Sequence, residues 1–184
     1  FASSFIPESP YYGWTLPALS FIGHGIGFAE IAYMLLVEDF GTYAFIGLSP
    51  QENFVGGGDV IPLFSNLPPQ SPYFPMFVVG AQNDGLSQEG KDYSAYYLAH
   101  PGPAGKFRIL GGNFSYFTDS QNLAGDGTAT IDRQTQQSIV TTYCTVTLGL
   151  LLKGYATYQG YLDGSIPGYG PNDPRIDDLQ GKGF

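Results

Sequence analysis

The chain has 184 residues, 43% of them apolar, which suits one domain with a real core and argues against overall disorder. Its 16 acidic residues face 7 basic ones, a net charge of -9 with no Lys/Arg cluster, which argues against a nucleic-acid partner and against electrostatic attachment to anionic lipid. No apolar run approaches the roughly 20 residues of a membrane span, since the longest stretch, 139–152, is broken by threonine, tyrosine and glycine.

In chain order, residues 1–18 carry Pro7, Pro10 and Pro17 and are expected to be irregular. Leu19 to Ile22 forms a short apolar strand, followed by a corner at Gly23, Gly25 and Gly27 and a helix over Ile26 to Glu38. Ala29, Ala32, Tyr33 and Leu36 share one face of that helix. Tyr43 to Leu48 is the next strand, and a long Gly/Pro/Asn-rich connection then runs to Pro75. Met76 to Gly80 is a third strand, 81–86 a loop at its end, Gln88 to Ala99 a helix and Phe107 to Leu110 a fourth strand. Asp132 to Lys153 gives a long helix with Ile139, Tyr143, Val146 and Leu150 on its apolar side. The segment 164–184 is rich in glycine, proline and aspartate and is expected to cover surface. Apolar strands separated by helices or long crossovers indicate an α/β layer fold with a parallel sheet.

Several stretches together carry a resemblance. "LSFIGHGIGFAEIAYMLL" has the layout of a strand, a nucleophile elbow and a helix, and "YAFIGLSP" follows as the next strand. "FPMFVVGAQNDGLSQ" is similar to a strand and acid loop, "KFRILGGNFSYFTD" to a final strand and histidine loop, and "DGTATIDRQTQQSIVTTYCTVTLGLLLKG" to a closing helix. In this order they resemble the C-terminal part of the α/β-hydrolase fold, in particular its chlorophyllase, dienelactone-hydrolase and polyester-hydrolase-like members. The resemblance implies an elbow Gly-x-Ser-x-Gly, matched here by Gly23-His24-Gly25-Ile26-Gly27 with glycine at the nucleophile position. It implies Asp84 as the acid and Phe114 at the position of the histidine. Gly25 has no nucleophilic side chain and Phe114 accepts no proton, so two of three roles are missing and no catalytic residue is expected.

Other chemistry-bearing residues are weighed one by one. The resemblance implies that His24 points away from the cleft, hydrogen-bonded beneath the turn. His100 sits at a helix end, where solvation or helix-terminus electrostatics explains it. Cys144 lies in an apolar helical pattern and is expected to be a buried thiol. Ser115, Tyr116, Thr118 and Asp119 offer no activated nucleophile. Asp126, Thr128, Thr130 and Asp132 alternate as calcium ligands sometimes do, but an Asx turn leading to a helix capped by Asp132 explains them better. Asp173, Asp177 and Asp178 are expected to form a solvated acidic face. Asn113 opens an Asn-Phe-Ser sequon, a candidate glycosylation site.

The expected whole is an incomplete α/β-hydrolase-like parallel sheet flanked by helices: an irregular segment 1–18, a core 19–163 and a tail 164–184. The resemblance implies further strands before the elbow, supplied by a partner polypeptide, by the preceding half of one precursor, or by self-association. The chain opens FASSF without an initiator methionine, so we expect a processed product, and low lysine content with the sequon points to the secretory pathway. The leading functional expectation is a non-catalytic structural or binding subunit with no cofactor and no metal. The alternatives are a serine-type carboxylic-ester or polyester hydrolase, and a carbohydrate- or lipid-binding module with an aromatic cleft near Trp14, Phe114 and Tyr116.

Overall fold

The computed structural model describes residues 19–37, 42–52, 59–66, 74–88 and 91–183. The expected irregular segment 1–18, with Trp14, lies outside the described residues. Five strands form one sheet in sequence order: β1 (Leu19–His24), β2 (Thr42–Leu48), β3 (Met76–Ala81), β4 (Ala104–Ile109) and β5 (Ile176–Lys182). The first four run parallel and β5 lies antiparallel along β4. The helices are α1 (Ile26–Val37), α2 (Val60–Ser65), α3 (Tyr93–Ala99), α4 (Arg133–Lys153) and α5 (Gln159–Asp163). The architecture is a mostly parallel α/β sheet flanked by helices.

Strand alternation sorts the core into two layers. Phe45, Met76, Val78 and Ala104 point toward α1, α2 and α3, where they meet Phe28, Ala32, Phe64 and Tyr96. Ile46, Phe77, Val79, Phe107 and Ile109 point the other way, toward Ile139, Tyr143 and Cys144 of α4. Burial on both faces is why these strands read as continuous apolar runs in the sequence. Phe28 stacks flat on Phe45, ring centroids 4.2 Å apart. That approach needs a glycine at 23, because a Cβ there would lie 2.6 Å from the Phe28 Cα. Tyr33, expected on the buried face of α1, is instead 40% exposed, and the packed face runs through Phe28, Ala29, Ala32 and Leu35.

Helix boundaries follow caps. The Asp92 side chain accepts hydrogen bonds from the Ser94 and Ala95 amides, so α3 starts there and not at Gln88. Asp132 caps α4 through the Thr135 amide and hydroxyl, and Gly154, at φ 64°, ends it in a left-handed turn.

The tail departs most from expectation. It supplies a fifth strand, and its aspartates are paired rather than solvated. Asp178 accepts from Lys106 Nζ at 2.7 Å and from the Tyr93 hydroxyl at 3.0 Å. Asp177 takes the Arg108 guanidinium through two bonds, 2.9 and 2.6 Å. A register shift between Lys106 and Arg108, with Asp178 at φ 54°, lets adjacent aspartates both reach basic residues of β4. Asp173 is buried, held by Arg175 and by the hydroxyl of Tyr143.

His100 also departs from the solvated helix-end expectation. It is buried at the end of α3 between Phe64 and Phe74, and its Nδ1 accepts from the Gly102 amide. Burial is the main cause that lowers its pKa to about 4, so the ring is neutral in the folded chain. Unfolding returns it to about 6.5, so between these values the unfolded chain binds more protons and acidification costs stability. From pH 6.5 down to 4 this single group should remove about 3 kcal/mol. Urea unfolding across that range, compared with His100→Asn, should show the steeper loss in the wild-type chain.

Candidate functional site

The C-terminal ends of β1, β2 and β3 gather the residues that the sequence marks for chemistry. Gly25 is the single residue between β1 and α1, with φ 57°. Its amide donates to the Leu48 carbonyl, and its own carbonyl accepts from the Phe28 and Gln51 amides. The corner is therefore fixed on both sides. A Cβ built on Gly25 would stand 2.7 Å from Cζ of Phe114 and 3.1 Å from its Cε2. The ring of Phe114, itself 6% exposed, thus occupies the space into which a side chain at position 25 would project.

His24 shares a row with Leu48, Val79 and Phe107, which puts it on the α4 side of the sheet. Its ring lies 4.2 Å from that of Phe114 and 5.8 Å from that of Phe117. The ring makes a hydrogen bond with the Phe114 main chain, while its buried Nε2 has no hydrogen-bond partner among the described residues. Burial lowers the His24 pKa, against the Phe114 main chain and the charges of Asp84 and Asp126, which raise it.

Asp84 does sit in the loop after β3. Its Oδ1 accepts from the Leu86 and Ser87 amides, both at 2.9 Å, and its Oδ2 accepts from the Ser87 hydroxyl at 2.6 Å. It is committed to shaping its own loop. Asp126 is the residue that joins the loops, a role beyond the Asx turn or calcium ligand that its spacing suggests. Its carboxylate accepts from the amides of Gly85, Phe114, Ser115 and Gly127. It therefore holds the loop after β3 against the turn that bears Phe114. Asp132 is occupied as the α4 cap, and among the described residues no group of three or more His, Cys, Asp or Glu is placed to hold a metal.

Asn113, the sequon residue, lies inside the fold. It is 0% exposed, its Nδ2 donates to the Gly127 carbonyl at 2.9 Å, and its Oδ1 accepts from the Tyr116 amide. The buried Gln136 side chain brackets its main chain, accepting from the Asn113 amide and donating to its carbonyl. The folded chain leaves no room for a glycan there. Gln136 was not foreseen, because a polar residue in a helix gives no sign that two main-chain groups far away in sequence depend on it.

At the end of β2, Ser49 has φ 40° and its buried hydroxyl has no hydrogen-bond partner among the described residues. Glu52 is 3% exposed, with Oε1 accepting from the Ile61 amide and Oε2 unpartnered among the described residues. Burial raises its pKa. Cys144 is buried in the α4 layer, and burial pushes its thiol up to about 12, the opposite of an activated nucleophile. Tyr116 lies under the Arg133 guanidinium, 4.9 Å from ring centroid to Cζ. Among the described residues no helix is long and apolar enough to cross a membrane.

No family model matches the chain, and a search of curated proteins finds no match either.

The geometry at Gly25 has a measurable consequence. Gly25→Ala should cost the left-handed backbone penalty of about 1–2 kcal/mol and a further 1–3 kcal/mol for overpacking on Phe114. Phe114→Leu should relieve the second part and leave the first. A double-mutant cycle by urea unfolding should therefore give a coupling of about 1 kcal/mol or more between positions 25 and 114.

Proposed function

We propose that the chain is the C-terminal part of an α/β-hydrolase-like fold whose catalytic positions have degenerated, and that it serves as a non-catalytic structural or binding subunit of an assembly. The observation that carries this reading is the contact of Phe114 with the corner at Gly25. Acyl transfer at an elbow needs a nucleophilic side chain on the turn and an imidazole within reach of it. Here one position carries only hydrogen and the other a ring packed against it. The likeness to the fold is supported by the sharp strand–corner–helix passage through Gly25 and by Asp84 at the end of a neighbouring parallel strand.

The subunit part of the reading rests on β1. Among the described residues its one strand neighbour is β2, and its Ile22 is 51% exposed. Parallel sheets are ordinarily covered on both faces, and an open strand edge is a template for pairing. A partner polypeptide that continues the sheet, or a second copy of the chain, would cover that edge. With Asn113 buried, a secretory location rests on the low lysine content alone.

Native mass spectrometry of the natural material, joined to a nitrophenyl-ester assay on the same sample, tests both parts. A stable complex with ester cleavage no faster than in buffer is the expected result. Sustained hydrolysis by the pure assembly would overturn the non-catalytic reading. A lone, folded 184-residue species would overturn the subunit reading.

A further inference from the structure

At the end of the sheet remote from the Gly25 corner, one row of residues crosses all five strands on the α4 side. Ile22, Ile46, Phe77, Gly105 and Gly181 are register partners in that order. Ile46 and Phe77 are buried beneath helix, but the last two positions carry no side chain. The result is a cavity of about 290 Å³ beside Phe77, roofed by α5 through Gln159, Leu162 and Asp163. Its size is at the lower end of small-molecule sites.

The wall is built in advance of any ligand. Tyr161 of α5 is braced edge-on by Tyr158 and by Tyr169, with centroids 6.1 and 4.7 Å apart. Gly170 packs so closely on α5 that a Cβ there would lie 2.8 Å from the Leu162 carbonyl oxygen. Asp163 is fixed by accepting from the Ser165 amide at 2.8 Å, and its pKa is lowered by the Ser165 hydroxyl and amide.

The lining decides the ligand chemistry. One side is apolar, made of Phe77, Leu162 and the glycine shelf, and the rim is polar, with the amide of Gln159 and the carboxylate of Asp163. Among the described residues no lysine or arginine lines the cavity, and the chain carries a net charge of -9, so an anion is disfavoured. The rim groups of Gln159 and Asp163 are exposed, and a ligand that carries hydroxyls can exchange their water for direct hydrogen bonds, which a purely apolar molecule does not. We propose that this cavity is a binding site for a neutral monosaccharide ring, seated with one apolar face on the Gly105–Gly181 shelf and its hydroxyls toward Gln159 and Asp163. The site is separate from the Gly25 corner and does not depend on the reading of that corner.

Amide chemical-shift mapping of the full chain tests it, with glucose, galactose, mannose and xylose each added to about 50 mM, a range that reaches millimolar affinities. At least one sugar should produce saturable shifts confined to residues around 159–163 and 179–183. Gly181→Val, which puts a β-branched side chain onto the shelf at a strand position, should abolish those shifts while the rest of the spectrum stays in place. Asp163→Asn should weaken binding about ten-fold, as expected for loss of a charge-assisted hydrogen bond. If Gly181→Val does not fold, Gln159→Ala serves in its place on the exposed face of α5. Absence of saturable shifts with all four sugars would overturn the proposal. So would shifts that persist in the folded shelf variant, or binding of indole or choline at this cavity where no sugar binds.

Discussion

The ring of Phe114 lies over the end of β1 only because residue 25 has no side chain, and much of this end of the molecule is arranged around that contact. The main chain at Gly25 is pinned by Leu48, Phe28 and Gln51, so the corner cannot retreat from the ring. The ring cannot retreat either. Its own amide and the next are held by Asp126, and the preceding residue, Asn113, is bracketed by Gln136 of α4. Each clamp is a buried or half-buried hydrogen bond to main chain, the kind whose loss strands an unpaired polar group and costs about 1–3 kcal/mol. Position 25 and position 114 are therefore coupled through rigid surroundings, and neither can take a larger or differently shaped side chain alone. That rigidity keeps the space beside position 25 filled by the Phe114 ring.

A second constraint governs the opposite edge. The chain has only 7 basic residues, and four of them, Lys106, Arg108, Arg175 and Lys182, are used where β5 docks on the rest of the fold. The pairs are not equal. The Arg108–Asp177 pair has both side chains more than a third exposed, and exposed pairs contribute about 0–1 kcal/mol. Lys106 has a side chain only 6% exposed, with Asp178 and the Ser94 hydroxyl as its partners. Removing Asp178 would strand a buried ammonium, which costs about 3–5 kcal/mol. Lys106 is thus the residue that commits the tail to the sheet, and the acidic excess of the sequence is partly the means of attaching its last strand.

The parts of the fold that the sequence displays are those whose signal is local. β2 and β3 are visible as apolar runs because both faces are buried, and α4 is visible because its period and its Asp132 cap are written in consecutive residues. β4 is visible only from Phe107 onward, since Ala104, Gly105 and Lys106 carry no apolar signal although all three are buried. β5, Ile-Asp-Asp-Leu-Gln-Gly-Lys, has no strand pattern at all, because what holds it is charge placed about 70 residues earlier. The burial of Asp173 and His100 is hidden because Tyr143, which meets the first, and Phe64 and Phe74, which enclose the second, lie far away in the sequence. At the site, Gly25 and Phe114 can be singled out in the sequence, but their contact cannot, nor can the clasp made by Asp126. A turn aspartate gives no sign of which distant amides it will bind.

The row that runs Ile22, Ile46, Phe77, Gly105, Gly181 shows how one helix limits a sheet of this width. α4 covers its centre, where Ile46 and Phe77 are almost wholly buried. A helix with side chains spans about 10 Å, and strands lie about 4.8 Å apart, so one helix covers two or three strands and no more. The two ends of the row meet that limit differently. At β1 the sequence keeps a large apolar residue that remains half exposed, which leaves hydrophobic area to be covered from outside the described fold. Toward β5 it places glycines and brings in α5 beside them, which leaves a small pocket half open to solvent. The same geometric shortfall thus yields an exposed apolar edge on one side and a half-open pocket on the other, and the choice between them is made by side-chain size at two glycines and one isoleucine.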